Sequence, residues 1–302
     1  MKKRFALLLT LVLLVSLLSF AIMTVTYSSV NLYEQNVMGT LWVQKSAEFR
    51  ALSYQTFNLA KVRVQADLAD ESVKKPRTIV VDLDETILDN SQYQAWLIVH
   101  GLEHSSSTWN PWTQAGIAPA MPGAVQFLKY CEANEVEVFY ISNRKVLDDN
   151  SGYTGTVKNL KALGFPNVDE EHVLFTTDSS NKTDRRTIAE DEKHVILYMG
   201  DNLNDFLNDF AKLGVDERVV MTDKYKDEFG SKFIVMPNPM YGEWESAIYE
   251  YKLGASVAEK AQMRKDKLEL WDFSVDKTKS KRLFYLLKNF FMLEKYASDN
   301  TK

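Results

Sequence analysis

Apolar runs and stretches of helical periodicity alternate through the middle of the chain. Six short runs rich in β-branched and aromatic residues predict strands at 77–83, 136–141, 172–176, 195–199, 218–221 and 233–236. Between them, apolar positions at helical spacing predict helices at 123–133, 155–163, 184–190 and 203–212. This alternation favours an α/β fold with a doubly wound parallel sheet, whose ligands bind beyond the carboxyl ends of the strands.

Other segments flank or interrupt this alternating region. Residues 31–75 place apolar and aromatic side chains at helical spacing and predict a smaller helical accessory domain. Residues 76–238 hold the predicted strands and form the expected core, with an aromatic-rich insertion at 90–122 after the first strand. Residues 239–302 are expected to form a loop and a charged helical extension.

The first 30 residues have the pattern of a targeting segment. Lys2, Lys3 and Arg4 precede a nearly uninterrupted apolar stretch at 5–25. A basic flank followed by such a stretch predicts export, and its length favours an uncleaved membrane anchor over a cleaved signal peptide. Ser19-Phe20-Ala21 would serve as the cleavage site of a secreted form. In either case the remainder of the chain is expected to work outside the cytoplasmic membrane.

Charge and cysteine content exclude several classes of protein. The net charge is −5, although three positive charges lie in the first four residues. An acidic chain is poorly suited to gripping a nucleic-acid backbone, so no nucleic-acid partner is expected. Cys131 is the single cysteine, which excludes an intramolecular disulfide and a thiolate zinc cluster.

Two carboxylates mark the end of the first predicted strand. Asp82 and Asp84 follow the apolar run at 78–81, and residues two apart on an extended chain point the same way. Both side chains are therefore expected to enter one cleft at the carboxyl edge of the sheet. Like charges so close together are costly, and they are tolerated mainly where a cation or a reaction uses them.

Later strands end in further polar groups: Ser142 after the second, Lys182 before the helix that follows the third, and Asp201 and Asp205 after the fourth. Singly, each has a structural explanation as a helix cap, a turn residue or a solvated charge. Together they would bring carboxylates, a hydroxyl and an ammonium group to one sheet edge.

That mixture of groups suits phosphoryl transfer. Asp82 is the expected nucleophile, and Asp84 the acid that protonates the leaving alcohol and then activates water. Ser142, the adjacent Asn143 amide and Lys182 are expected to bind phosphate oxygens. Mg²⁺ is the expected cofactor, with oxygen ligands from Asp82, Asp84 through its carbonyl, Asp201 and Asp205.

The order of these motifs resembles that of the haloacid dehalogenase superfamily. More narrowly, the stretches at 82–91, 200–206 and 237–242 look like those of class C non-specific acid phosphatases, the bacterial surface lipoprotein 5'-nucleotidases. The resemblance implies a Rossmann-like core and Mg²⁺-dependent hydrolysis of nucleoside monophosphates and other monoesters through an aspartyl-phosphate. It also implies that aromatic residues stack on the substrate ring, at positions matched by Trp109, Tyr241 and, more weakly, Tyr93.

One feature departs from the family pattern. Its members are anchored through an acylated cysteine at the mature N-terminus, and this sequence has no cysteine near residue 20. The chain is therefore not expected to be an acylated lipoprotein, and its tether would be the apolar segment itself.

Two alternative functions stay open at this point. The Asp-Leu-Asp-Glu-Thr run at 82–86 also opens phosphatases that act on phosphoserine tails, which allows a phosphoprotein phosphatase. The second alternative is a non-catalytic surface binding protein with the same fold. A binding protein, however, has no need for both Asp82 and Asp84.

Overall fold

The computed structural model describes residues 32–147, 149–176 and 179–271. The predicted anchor at 1–30 and the distal part of the C-terminal extension lie outside the described residues. The chain divides into two units, Met1–Arg264 and Lys265–Lys302. Apart from the last two residues of the final helix, the features discussed below belong to the described part of the first unit.

A parallel sheet lies at the centre of this unit. Its strands are β1 (Arg77–Val81), β2 (Glu137–Lys145), β3 (Val173–Thr176), β4 (His194–Gly200) and β5 (Phe233–Val235). They are arranged in the order β3-β2-β1-β4-β5, and every pairing is parallel. The predicted doubly wound α/β fold is thus confirmed, with the first strand at the centre of the sheet.

Helices surround the sheet. They are α1 (Val37–Lys45), α2 (Ala47–Leu68), α3 (Ser91–His100), α4 (Ser106–Ala115), α5 (Ala124–Ala133), α6 (Ser151–Ala162), α7 (Thr183–Glu190), α8 (Val215–Lys224), α9 (Glu243–Ile248) and α10 (Val257–Asp266). The insertion at 90–122 contains α3 and α4. In the described part of the chain, no helix has both the length and the hydropathy needed to cross a bilayer.

Both faces of the central strand are buried, as its uninterrupted apolar sequence requires. Ile79 and Val81 pack into the larger core on one face, whereas Val80 packs into a second cluster on the other. Helix α2 covers the larger core with Phe57 and Val64. The helical segment at the N-terminal side therefore shares its apolar core with the sheet.

The predicted strand at 218–221 is wrong, because these residues form part of helix α8. Val219 and Val220 are exposed on this helix, and Arg218 is the buried member of the run. Its guanidinium donates a 2.7 Å hydrogen bond to the carbonyl of Phe210. The β-branched pair predicted a strand, but the segment is an α-helix that buries Arg218 and leaves the two valines exposed.

The predicted helix at 203–212 is also wrong. The segment forms two short 3₁₀ helices, Leu203–Asp205 and Asn208–Phe210, separated by an extended Leu207. Asn202 and Asp205 form a reciprocal capping box that satisfies the first turn locally. This local bonding holds Asp205 beside the end of β4 instead of on an α-helix.

Candidate active site

A cleft of about 640 Å³ opens at the carboxyl edge of the sheet. Asp82 and Asp201 directly follow strands β1 and β4 there, and Lys182 occupies the N-cap position of helix α7 beside them. Eight of the ten residues predicted for the site line this cleft: Asp82, Asp84, Trp109, Asn143, Lys182, Asp201, Asp205 and Tyr241. The other two, Ser142 and Tyr93, are buried behind its walls.

Asp82 is held by a dense set of contacts. Its backbone N–H donates to the carbonyl of Met199 on the neighbouring strand at 2.9 Å. Lys182 Nζ lies 2.5 Å from one carboxylate oxygen, and Thr86 Oγ1 donates to the other at 3.1 Å. Burial raises the pKa of Asp82 to about 7, although the ammonium of Lys182 opposes the rise.

Three carboxylates converge in the cleft. Oxygens of Asp82, Asp201 and Asp205 lie within 4.8 Å of one another. Lys182 Nζ bridges Asp82 and Asp205, at 2.5 and 2.7 Å. Asp201 instead has uncharged neighbours: it accepts a hydrogen bond from Asn238 Nδ2 at 2.8 Å, and Thr86 Oγ1 lies 3.5 Å from it. Burial, together with the charges of Asp205 and Asp82, raises the pKa of Asp201 well above its usual range.

The spacing from Gly200 to Asp205 has a steric basis. The backbone N–H of Asn202 donates to Asp205 Oδ2 at 3.0 Å, which folds the carboxylate back over the end of β4. A β-carbon at Gly200 would lie 2.4 Å from that oxygen and 2.5 Å from Asp205 Cβ. Only glycine therefore allows Asp205 to reach the cluster from this turn.

Asp84 is not in the carboxylate cluster and points to a group that the sequence did not reveal. Arg144 Nη2 lies 2.7 Å from one oxygen of Asp84, and Arg144 Nε lies 3.1 Å from the other. Arg144 is 4% exposed, and its Nη1 donates to Thr156 Oγ1 at 2.9 Å. The guanidinium also lies 5.6 Å from the ring of Trp109. The predicted metal contact of Asp84 through its carbonyl stays a prediction.

Ser142 and Asn143 occupy different positions. Ser142 is fully buried; its Oγ donates to Asp84 Oδ2 at 3.4 Å and accepts from the backbone N–H of Arg144 at 3.1 Å. Asn143 faces the cleft, and its Oδ1 accepts from Arg185 Nη2 at 2.8 Å. Asn143 thus lines the cleft, whereas the hydroxyl of Ser142 lies behind Asp84, and the predicted phosphate contacts of both residues stay predictions.

Aromatic side chains contribute to the lining of the cleft, and together they are called its aromatic wall. Trp109, on α4, and Tyr241, in the loop after β5, both line it. Tyr93 is 3% exposed and packs edge-on against Trp109, with ring centroids 5.0 Å apart. Its hydroxyl bonds Thr108 Oγ1 at 2.8 Å. Tyr93 therefore supports the wall from behind, and its predicted substrate contact would need access that Trp109 covers.

A buried carboxylate, that of Glu85, was also not predicted for the site. Glu85 is 1% exposed and has a positive φ of 60°. It accepts hydrogen bonds from the backbone N–H of Asn90 at 3.0 Å, from Asn90 Nδ2 at 3.3 Å and from the hydroxyl of Tyr241. Burial, and then the charges of Asp84 and Asp201, raise the pKa of Glu85 well above its usual range.

Fold and site together define a phosphatase of the haloacid dehalogenase type. Residues 18–244 match the family model of HAD superfamily, subfamily IIIB (acid phosphatase). Two solved structures that the chain resembles are the class C acid phosphatase from Bacillus anthracis, with 40% identity and a TM-score of 0.76, and the same enzyme with tungstate bound, with 39% and 0.75. Both matches cover 80% of this chain and 100% of the other.

The chain belongs to the class C acid phosphatases of subfamily IIIB in the HAD superfamily. It is therefore a phosphoric monoester hydrolase, and the alternative of a non-catalytic binding protein is set aside.

Proposed function

We propose that this phosphatase is exported, depends on Mg²⁺ and acts by preference on nucleoside monophosphates. The observation that carries the proposal is the position of Asp82. It lies beside two further carboxylates and 2.5 Å from Lys182, in a cleft that also holds Asp84 and an aromatic wall. Such a site combines a nucleophile, an acid, positive charge and a surface for a planar ring.

The chemistry proceeds in two displacements. A carboxylate oxygen of Asp82 attacks phosphorus as the bond to the leaving oxygen breaks, and Asp84 gives that oxygen its proton. Asp84 then takes a proton from water, whose oxygen attacks the phosphorus of the aspartyl-phosphate and releases Asp82 and inorganic phosphate. Lys182 and the Asn143 amide offset charge on the phosphoryl oxygens.

The carboxylate cluster fits a hard divalent cation. Asp82, Asp201 and Asp205 supply oxygen donors within 4.8 Å of one another, and Lys182 alone among their described contacts brings positive charge to them. Asp201 and Asp82, with Asp205 beside them, are the residues that would hold Mg²⁺. When bound, the ion supplies charge that stabilises the transferring phosphoryl group.

The aromatic wall supports a preference for nucleotides. Trp109 and Tyr241 line the same cleft as Asp82, and an aromatic ring binds any nucleobase by stacking without reading its identity. The tungstate bound by the similar enzyme from Bacillus anthracis is a tetrahedral oxyanion, as phosphate is. A substrate with phosphate at one end and a base at the other suits both features.

The N-terminal sequence supports an extracytoplasmic location. The basic residues and the apolar stretch at 5–25 favour an uncleaved tether, with secretion after cleavage as the alternative. With no cysteine near residue 20, the tether would lack an acyl chain. Mass spectrometry of the mature protein from the membrane fraction tests this: a start at Ile22 would contradict the anchor.

Phosphate release is the direct test of the catalytic proposal. The purified protein is given AMP, ribose 5-phosphate, sugar phosphates and phosphopeptides, with Mg²⁺ or with EDTA. We expect the highest kcat/KM on nucleotides and loss of activity in EDTA. Preference for a phosphopeptide would instead indicate a phosphoprotein phosphatase, and full activity in EDTA would contradict metal dependence.

A further inference from the structure

A hydrogen bond joins the turn after β1, which carries Asp82 and Asp84, to the aromatic wall of the cleft. The hydroxyl of Tyr241 donates to Glu85 Oε2, and Glu85 directly follows Asp84 in the chain. The two residues are 156 positions apart in sequence. This contact therefore ties the loop after β5, which carries Tyr241, to the turn that carries both catalytic aspartates.

Glu85 is fixed from several sides. Asn90 donates to both of its carboxylate oxygens, from the backbone N–H at 3.0 Å and from Nδ2 at 3.3 Å. Asn90 Nδ2 also lies 2.9 Å from Asp84 Oδ1, and Trp112 Nε1 donates to Asn90 Oδ1 at 2.7 Å. The Glu85 carboxylate is thus a fixed point to which the tyrosine is attached.

The backbone conformation and the burial of Glu85 are both energetically unfavourable for an isolated residue, so contacts with other residues must stabilise them. Glu85 has a φ of 60°, a backbone conformation that non-glycine residues rarely adopt. It also buries a carboxyl group to 1% exposure. Buried carboxyl groups are stabilised by their hydrogen bonds, and the tyrosine hydroxyl supplies one of the three that Glu85 accepts.

We infer that Glu85 is a specificity-positioning residue, which holds the ring of Tyr241 against the substrate's nucleobase through the tyrosine hydroxyl. This inference rests on the proposed function, because it needs a nucleotide in the cleft. Stacking depends on the ring's position, and a ring hinged at one end only is free to turn about its side-chain bonds. The hydroxyl contact fixes the far end of that ring.

The test separates the ring from its tether. Tyr241→Phe keeps the ring and removes the hydroxyl. We compare kcat/KM for AMP and for ribose 5-phosphate, which share the phosphorylated sugar and differ in the base. We expect the AMP to ribose 5-phosphate ratio to fall about tenfold, mostly through a higher KM for AMP, as for loss of one hydrogen bond to a carboxylate.

The control variant is Tyr198→Phe, which removes a matching hydrogen bond from a tyrosine hydroxyl to a glutamate, at 2.6 Å from Glu190. Tyr198 packs in the smaller core cluster, away from the cleft. We expect it to lower the thermal midpoint and to leave the substrate ratio at the wild-type value. A fall in the ratio there would show that the effect is one of general destabilisation.

The partner residue gives a second approach. Glu85→Gln leaves Tyr241 and Asn90 with one acceptor oxygen fewer. In the double variant Glu85→Gln with Tyr241→Phe, the AMP to ribose 5-phosphate ratio should be no lower than in the more impaired single variant. Fully additive losses would overturn the tether.

The outcomes distinguish this inference from the proposed function. A wild-type enzyme with no preference for AMP over ribose 5-phosphate would overturn the nucleotide proposal and the tether together. A wild-type preference that Tyr241→Phe retains, and that Tyr241→Ala abolishes, would overturn the tether alone. Equal loss on both substrates in Tyr241→Phe would show that Glu85 supports only the catalytic turn.

Discussion

Arg144 holds Asp84 through both carboxylate oxygens, with its Nη2 at 2.7 Å and its Nε at 3.1 Å. Both side chains are largely buried, with 3% and 18% of their surface exposed. The pair links the expected acid to strand β2 and, through Thr156, to helix α6. Orientation of the acid therefore depends on a residue one strand away.

Loss of Arg144 should leave a buried carboxylate without its partner. We expect Arg144→Met to lower the free energy of unfolding by about 3 kcal/mol, the usual cost of breaking a buried ion pair. Urea denaturation followed by circular dichroism measures this. Arg50→Met is the control, since Arg50 is exposed and its side chain hydrogen-bonds Tyr54 on the same helix and not a carboxylate. Equal effects of the two substitutions would contradict a structural role for the pair.

Removing the carboxylate of Asp82, the proposed nucleophile, should abolish turnover without unfolding the protein. Asp82→Asn keeps the shape of the side chain and deprives phosphorus of its attacking carboxylate. We expect kcat to fall by about 10⁴-fold or more, as for other enzymes that lose a covalent nucleophile. Steady-state phosphate release measures it. A rate within tenfold of wild type would rule out the aspartyl-phosphate route.

Stability should depend on pH through the buried carboxylates. Because the pKa of Asp82 is raised from 3.8 to about 7, the folded metal-free protein binds more protons than the unfolded chain between these values. The contribution of Asp82 to stability is therefore present below pH 4 and lost as pH rises toward 7. In EDTA, the thermal midpoint of wild type should fall relative to Asp82→Asn between pH 5 and 7.5.

The same linkage predicts the pH dependence of metal binding. A divalent ion binds the ionised carboxylates and competes with protons for them. We expect Mg²⁺ to raise the thermal midpoint by more at pH 7.5 than at pH 5, measured by differential scanning fluorimetry. Asp201→Asn should reduce the increase at both values. An increase that is the same at both pH values in the wild type would place the ion elsewhere.

Gly200 offers a steric test of the carboxylate cluster. In Gly200→Ala the new β-carbon meets Asp205 Cβ at 2.5 Å, so Asp205 or the turn must move. We expect a loss of about 1–3 kcal/mol in the free energy of unfolding and weaker activation by Mg²⁺. Gly254→Ala is the matched control, because no heavy atom lies within 4 Å of its β-carbon. Unchanged Mg²⁺ activation in Gly200→Ala would remove Asp205 from the metal site.

Trp109 should matter for substrates that carry a ring. Base stacking on an aromatic residue contributes about 1–3 kcal/mol, so Trp109→Ala should lower kcat/KM for AMP by about 5- to 150-fold. Hydrolysis of ribose 5-phosphate should fall much less. The control is Trp96→Ala, whose ring is 44% exposed and stacks on His100 outside the cleft. Equal losses on both substrates would contradict the stacking role.

The strand ends were predictable because parallel strands bring their carboxyl ends to one edge. Asp82 and Asp201 follow apolar runs that are buried on both faces, and such runs are easily read from sequence. Their convergence in one cleft follows from the parallel topology. Eight of the ten predicted site residues accordingly line one cleft.

Arg144 and Glu85 were not predictable in the same way. Both lie within stretches that the sequence singled out, but a buried arginine and a surface arginine look alike until their partners are known. Arg144 became informative only through Asp84 and Thr156, which are 60 and 12 positions away. The polar neighbours of a catalytic carboxylate come from other strands, and their distance in sequence hides them.

The misread segments share a physical cause. Val219 and Val220 have a high intrinsic preference for strands, yet they are exposed on α8 while the buried contacts of Arg218 set the local conformation. In 203–212, side-chain bonds between Asn202 and Asp205 override helical spacing. In both cases polar contacts, which periodicity does not record, outweighed the apolar pattern.

The first strand in the chain, β1, lies at the centre of the sheet, between β2 and β4, which come much later in the sequence. Asp82 contacts Lys182, which lies 100 residues later in the sequence, and its backbone N–H donates to the carbonyl of Met199. No partial chain that ends before β4 can contain this site, and contacts so distant in sequence form slowly. A chain that is still being synthesised therefore has no complete carboxylate cluster until it extends as far as Asp205, about two thirds of the 302 residues.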